Sequence, residues 1–136
     1  MDTESTRSLV KQFLAARSAG DLAGITAALA DDAVWVLPQS SSFGPFTGRD
    51  EVAKALGGGV SGTLFDPTTI RREIHKMVVE GDTAFVQQRL SATTLKGAQY
   101  VNEYCWVYTC RDGKIAKLEE YADTLHAGRV FGTVTS

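Results

Sequence analysis

The chain opens on apolar positions that recur at helical spacing. Leu9, Val10, Phe13, Leu14 and Ala16 fall on one side, with Arg7, Lys11, Gln12 and Arg17 on the other, the stripe of an amphipathic helix. Gly20 ends that helix and Asp21 caps the next, where Leu22, Ile25, Ala28 and Leu29 form a second stripe. Asp31 and Asp32 are expected to close this helical hairpin, and the apolar run over 33–37 to be a short buried strand. A Ser, Gly and Pro loop with two Phe anchors follows. Thr47 and Asp50 match a capping box in its acidic form, opening a third helix through Leu56. Gly57, Gly58 and Gly59 stop it, and the glycine-rich stretch up to Pro67 is expected to be a mobile lid.

The second half changes period. Strands are predicted over 68–79, 83–94, 99–110 and 114–123, separated by turns at Glu80-Gly81-Asp82, Lys96-Gly97-Ala98 and Arg111-Asp112-Gly113. Helices first and then a meander of long strands predict an α+β fold, with helices packed on one face of an antiparallel sheet. With no internal repeat and no linker, residues 1–136 read as a single domain.

Composition is ordinary for a globular chain, at 43% hydrophobic and 22% charged residues. A formal net charge of −2 gives no footprint for nucleic acid or anionic membrane. The densest basic cluster, Arg71, Arg72 and Lys76, reads as a solvated strand edge. No apolar run approaches the roughly 18 residues of a membrane span, and the polar opening is unlike a secretory signal, so a cytoplasmic location is expected. Cys105 and Cys110 should point to opposite faces of one strand, about 16 Å apart, beyond disulfide reach. Neither has the His or Cys spacing of a metal site. The glycine cluster lacks the Lys-Ser/Thr of a phosphate loop, so no nucleotide, metal or redox cofactor is implied.

Candidate chemistry concentrates near the end of the chain. Alternation puts Tyr100, Asn102, Tyr104, Trp106 and Tyr108 on one face, suiting a pocket wall, an oligomer interface or plain core packing. Asn102 among aromatics needs hydrogen-bond partners, in the protein or in a ligand. Asp123, taken to share the parity of Tyr121, Glu119 and Ile115, ends the last strand. It reads either as a cap for a helix over 124–130 or as a pocket carboxylate whose pKa desolvation would raise. His126, three residues on, is a surface pair or a dyad partner for Asp123. His75 reads as packed or surface.

Three segments, VKQFLAARSAGDLAGITAALADDAVWVLP, FTGRDEV and YVNEYCWVYTCRDGKIAKLEEYADT, resemble the nuclear transport factor 2-like superfamily, in its SnoaL-like polyketide cyclase, limonene epoxide hydrolase and ketosteroid isomerase-like branch. The resemblance implies a cone of bent sheet capped by three N-terminal helices, a deep apolar pocket and a sheet-to-sheet homodimer. Asp123 falls where such cyclases and hydrolases keep an acid/base aspartate. The hydrolases' Arg-x-Asp pair is missing, since the matching stretch reads Val86-Gln87-Gln88-Arg89-Leu90, and their water-holding Tyr and Asn would fall near Trp35 and Leu37. The isomerase's base and oxyanion tyrosine would fall at Leu37 and Phe13, which excludes steroid isomerisation by that mechanism.

Two functions follow as expectations. One is a cofactor-free enzyme with Asp123 as general acid/base on a small apolar oxygenated substrate. Asn102 and Tyr104 would hold its polar atom, with Phe13, Trp35, Leu37, Gln88 and Tyr121 lining the site. The other is a ligand-binding or dimerisation domain without chemistry.

Overall fold

A computed structural model describes residues 1–133. Helix α1 (Thr3–Ser18) starts where the Asp2 carboxylate accepts from the Ser5 N–H at 2.7 Å, and α2 (Leu22–Ala28) where Asp21 accepts from the Gly24 N–H at 2.9 Å. Each acid satisfies a donor orphaned at a helix start. The chain passes straight into β1 (Leu29–Val36). Asp31 and Asp32 therefore lie inside a strand rather than closing the hairpin, and they pair with Arg49 and Arg111.

After the two-residue β2 (Phe46–Thr47), α3 (Arg49–Lys54) runs into a π-turn over Ala55–Gly59. Its cap is Gly48, with no side-chain bond. The acidic box expected at Asp50 is replaced by Glu51, whose carboxylate accepts from the Thr47 N–H at 2.9 Å. Then come β3 (Arg71–Glu80), β4 (Thr83–Thr93), β5 (Gln99–Arg111) and β6 (Lys114–Ala122), and α4 (Thr124–Phe131) closes the chain. Asp112 and Gly113 both take positive φ, 52° and 77°, in the tight β5–β6 turn, the pairing a two-residue hairpin favours.

The six strands form one sheet in the order β2-β1-β6-β5-β4-β3. All neighbours are antiparallel except β1 and β6, which run parallel. Helices α1 to α3 pack on one face, burying Val10, Phe13, Ile25, Val52 and Leu56 against Val86, Trp106, Tyr108 and Leu118. A smaller cluster of Phe65, Leu90, Ala92 and Tyr100 is closed by Ala127, Val130 and Phe131 of the α4 segment. Among the described residues no helix is long and apolar enough to cross a membrane.

One irregularity decides which side chains face inward at the end of the sheet. Cys110 pairs with Ile115 but Thr109 pairs with Lys117, so Ala116 is an extra residue in β6. A one-residue bulge reverses the alternation beyond it. Ile115 and Leu118 are both fully buried, and beyond them Glu120 and Ala122 face inward while Glu119 and Tyr121 turn out. Cys110 is buried and Cys105 half-buried on the other face, both unbridged.

Candidate functional site

Between the helices and the sheet lies a cavity of about 490 Å³. Six elements supply its charged, amide and indole groups: Arg17 from α1, Trp35 from β1, Arg72 from β3, Gln88 from β4, Trp106 from β5 and Glu120 from β6. Leu56, Val60, Leu64 and Phe65 line it too, so the glycine-rich segment borders the cavity. Trp35 and Trp106, the chain's two tryptophans, lie 5.6 Å apart between ring centroids, tilted by 32°.

Glu120 is the one carboxylate in this lining among the described residues. It stands opposite Trp106 in the β5–β6 register, which sets it among indoles rather than in water. Burial pushes its carboxyl up to about 7, against the opposing pull of Arg17 and of the Trp35 indole beside it. The Arg17 guanidinium lies 4.8 Å above the Trp106 ring, a cation–π contact. Burial lowers its pKa, with Tyr108 and Glu120 opposing. Burial and the charge of Arg17 lower Arg72 to about 9, so Arg72 is cationic at neutral pH, and a guanidinium such as that of Arg17 keeps its charge inside proteins. Several sealed polar atoms of these lining residues have no hydrogen-bond partner among the described residues: Arg17 Nε and Nη1, Trp35 Nε1, Trp106 Nε1 and Gln88 Oε1. Unpaired buried polar groups are costly, and their convergence marks a place built to contact something else.

Of the residues expected from the sequence, Trp35, Leu37, Gln88 and Tyr104 line this cavity. Asn102 does not. Its amide nitrogen donates to the Tyr100 hydroxyl at 2.8 Å and to the Asp123 carbonyl at 3.0 Å, while its oxygen accepts from the Glu103 N–H. The Tyr100 and Tyr104 hydroxyls are 2.6 Å apart. Asn102 thus reaches the cavity only through two tyrosines and pins β5 to the start of α4.

Asp123 must be corrected too. Its carboxylate turns outward as the N-cap of α4 and accepts from the His126 N–H at 3.0 Å. The bulge at Ala116 removes it from the inward set. His126 contacts it only through its backbone; the imidazole Nε2 donates to the Val101 carbonyl at 2.9 Å and the ring stacks on Tyr100. Asp123→Asn is expected to be nearly silent in thermal or urea unfolding, whereas Asp123→Ala should cost about 1 kcal/mol. Equal losses from both would mean that the carboxylate has a role other than capping.

Tyr121 is 54% exposed on the outer face, and Phe13 is core, edge-on to Tyr108 at 5.6 Å, so neither lines the cavity. His75 pairs with Glu103 at 3.2 Å on the outer face. Arg72, read from the sequence as part of a solvated edge, instead joins Arg17 and Glu120 around the cavity. Among the described residues no cluster of three His, Cys, Asp or Glu side chains could hold a metal ion.

Solved structures with the same architecture include an NTF2-like protein of unknown function from Burkholderia pseudomallei, 24% identical with a TM-score of 0.82 over 93% of this chain and 97% of that one. TerC, co-crystallized with polyporic acid, is 21% identical with a TM-score of 0.81 over 94% of this chain and 98% of that one. An epoxide hydrolase of the LEH-like kind from M. tuberculosis is 21% identical with a TM-score of 0.73 over 96% of this chain and 92% of that one. No curated protein matches the chain in sequence. At these identities the likeness carries the fold alone. The family profile of the SnoaL-like domain matches residues 10–118, and the chain belongs to that family.

Proposed function

We propose that the chain is a cofactor-free acid/base enzyme acting on a small apolar oxygenated molecule, with Glu120 as the group that moves the proton. The observation that carries this reading is a lone carboxyl, held near pH 7 by burial, inside an aromatic cavity that also presents two guanidiniums. A base poised near the working pH is what proton abstraction next to a carbonyl requires. The Glu120 carboxylate takes a proton from the carbon beside a carbonyl. The C–H electron pair becomes a C=C bond, and the carbonyl oxygen takes the negative charge facing Arg17 and Arg72. Return of the proton to another carbon gives isomerisation; attack of the enolate on a second carbonyl gives cyclisation. Trp35, Leu37, Gln88, Tyr104 and Trp106 form the contact surface.

The LEH-like epoxide hydrolase among the fold's solved members is consistent with acid/base chemistry in such a cavity, and the polyporic acid co-crystallized with TerC with an aromatic oxygenated ligand. The test uses 2-tetralone in D₂O, followed by proton NMR. Enzyme-dependent loss of the signal beside the carbonyl supports the assignment. No acceleration over buffer, with 2-tetralone shown to quench the tryptophans, leaves a ligand-binding domain instead.

The same reading treats residues 1–136 as one domain that pairs through the outer sheet face. Val78, Phe85, Val101 and Tyr121 are exposed there, and Val78 is directly opposite Phe85. An uncovered apolar sheet face invites association. Light scattering is expected to give twice the 14.6 kDa chain mass; a stable monomer at micromolar concentration would overturn the pairing. A reducing, cytoplasmic compartment suits the two free thiols.

A further inference from the structure

We infer that the cavity selects a planar aromatic oxyanion, an aryl carboxylate or ionised enol, whose oxygens are gripped by Arg17 and Arg72. This deepens the reading above, since it takes the same cavity as the ligand site, but it concerns the ground-state ligand and not the proton transfer.

The inventory of unsatisfied atoms is lopsided. Arg17 Nε and Nη1 and the two indole Nε1 atoms can only donate. Gln88 Oε1 can only accept. A ligand that completes these groups must bring acceptors. Charge points the same way, because two guanidiniums face one carboxylate in the lining. Glu120 does not neutralise them by contact: no ion pair joins it to either arginine among the described residues, and two Arg17 nitrogens remain free. Arg17 and Arg72 also repel one another, which is part of why Arg72 is lowered to about 9. An anion between them relieves that repulsion, and a guanidinium fork matches two oxygens on one planar group.

The remaining walls set the body of the ligand. Trp35 and Trp106 are tilted by 32°, and Leu37, Leu56, Val60 and Phe65 supply apolar surface around them. At about 490 Å³ the space falls in the range of small-ligand pockets. A flat ring system fits between indoles, where offset stacking is favoured, with its charged edge toward Arg17 and Arg72.

The chain reports its own occupancy, because both tryptophans line the cavity and there are no others. Tryptophan fluorescence is titrated with 2-naphthoate, with 2-hydroxy-1,4-naphthoquinone as its ionised enol counterpart, and with 2-naphthamide as the neutral isostere. At pH 7.5 at least one of the two anions should bind about ten- to a hundredfold tighter than the amide, the range of hydrogen bonds to charged groups. Arg72→Gln and Arg17→Gln should each lose most of that preference while leaving amide binding within about twofold. Glu120→Gln, which removes the only carboxylate of the lining among the described residues and slows proton transfer, should tighten the anion and leave the amide unmoved. Preference for the carboxylate alone or the enol alone identifies the oxyanion. Amide binding as tight as both anions, or a preference that survives both arginine substitutions, overturns the inference. Those failures leave the proton-transfer assignment standing, since deuterium exchange tests it separately. No quenching by any of the three at millimolar concentration overturns the inference as well.

Discussion

Glu120→Gln should lower enzyme-dependent exchange of 2-tetralone by about 10² to 10⁴, the usual worth of one positioned acid/base group. Gln keeps the shape of the side chain and the polar lining, so the loss reports the proton and not the packing. For the wild type, kcat/KM should rise with pH and level off above about 7, because the base is the ionised form and burial holds the carboxyl near that value. A rate that is flat from pH 5 to 8, or a variant within threefold of wild type, would remove Glu120 from the chemistry.

The same carboxyl has a signature in stability that needs no substrate. Its folded value of about 7 lies above the ordinary 4.5, so the folded chain holds this proton more tightly than the unfolded chain does. The associated stability is fully present below pH 4.5 and is lost as pH rises through 7. By pH 8 the loss amounts to at most about 3 kcal/mol, with the attraction of Arg17 for the ionised form already contained in the folded value. Glu120→Gln should lack that slope, so the variant gains on wild type as pH rises from 5 to 8. A less active protein that is more stable at pH 8 is the usual mark of a functional group held in a costly place.

How far the site could be read from the sequence depends on which regularity each residue obeys. The inward face of β5, from Tyr100 to Tyr108, follows strict alternation, and there the sequence and the structure agree. Trp35, Gln88 and Tyr104 are legible because each lies on a strand whose inward face the pattern or the resemblance marks, and Leu37 because it follows β1 on the parity of Trp35. Glu120 was missed because Ala116 is bulged. Counting by twos from Ile115 gives Glu119, Tyr121 and Asp123, one step out of phase with the real inward set. Nothing in the local composition announces a bulge there. Arg17 was missed for a different reason: it was sorted with the solvent side because it is charged. Yet it follows Phe13 by four positions and Val10 by seven, which is the spacing of α1's buried stripe. A cation at an apolar-stripe position is a legible signal. Arg72 shows the same oversight on a strand, where its partner in the register is Leu90, a buried residue of the inward face.

That stripe also separates what holds the fold from what forms the site, and Phe13→Ala should expose the division. Phe13 is fully buried and meets Tyr108 edge-on at 5.6 Å, while Arg17, one turn later, lies over Trp106 at 4.8 Å. The helix therefore lays successive turns along β5, first an aromatic in the core and then a cation in the cavity. Truncating Phe13 removes a ring with no solvent on any side, so the lost burial and the remaining void should together cost about 3 to 5 kcal/mol in urea unfolding. Because its ring does not line the cavity, the variant at 10 °C, where it is folded, should still bind the naphthalene ligands with the wild-type order of affinity. The milder Phe13→Leu, which keeps most of the volume, should cost less than half as much. A loss below about 1 kcal/mol for Phe13→Ala, or ligand binding abolished in a folded Phe13→Leu protein, would return this residue to the pocket wall that the family resemblance had suggested.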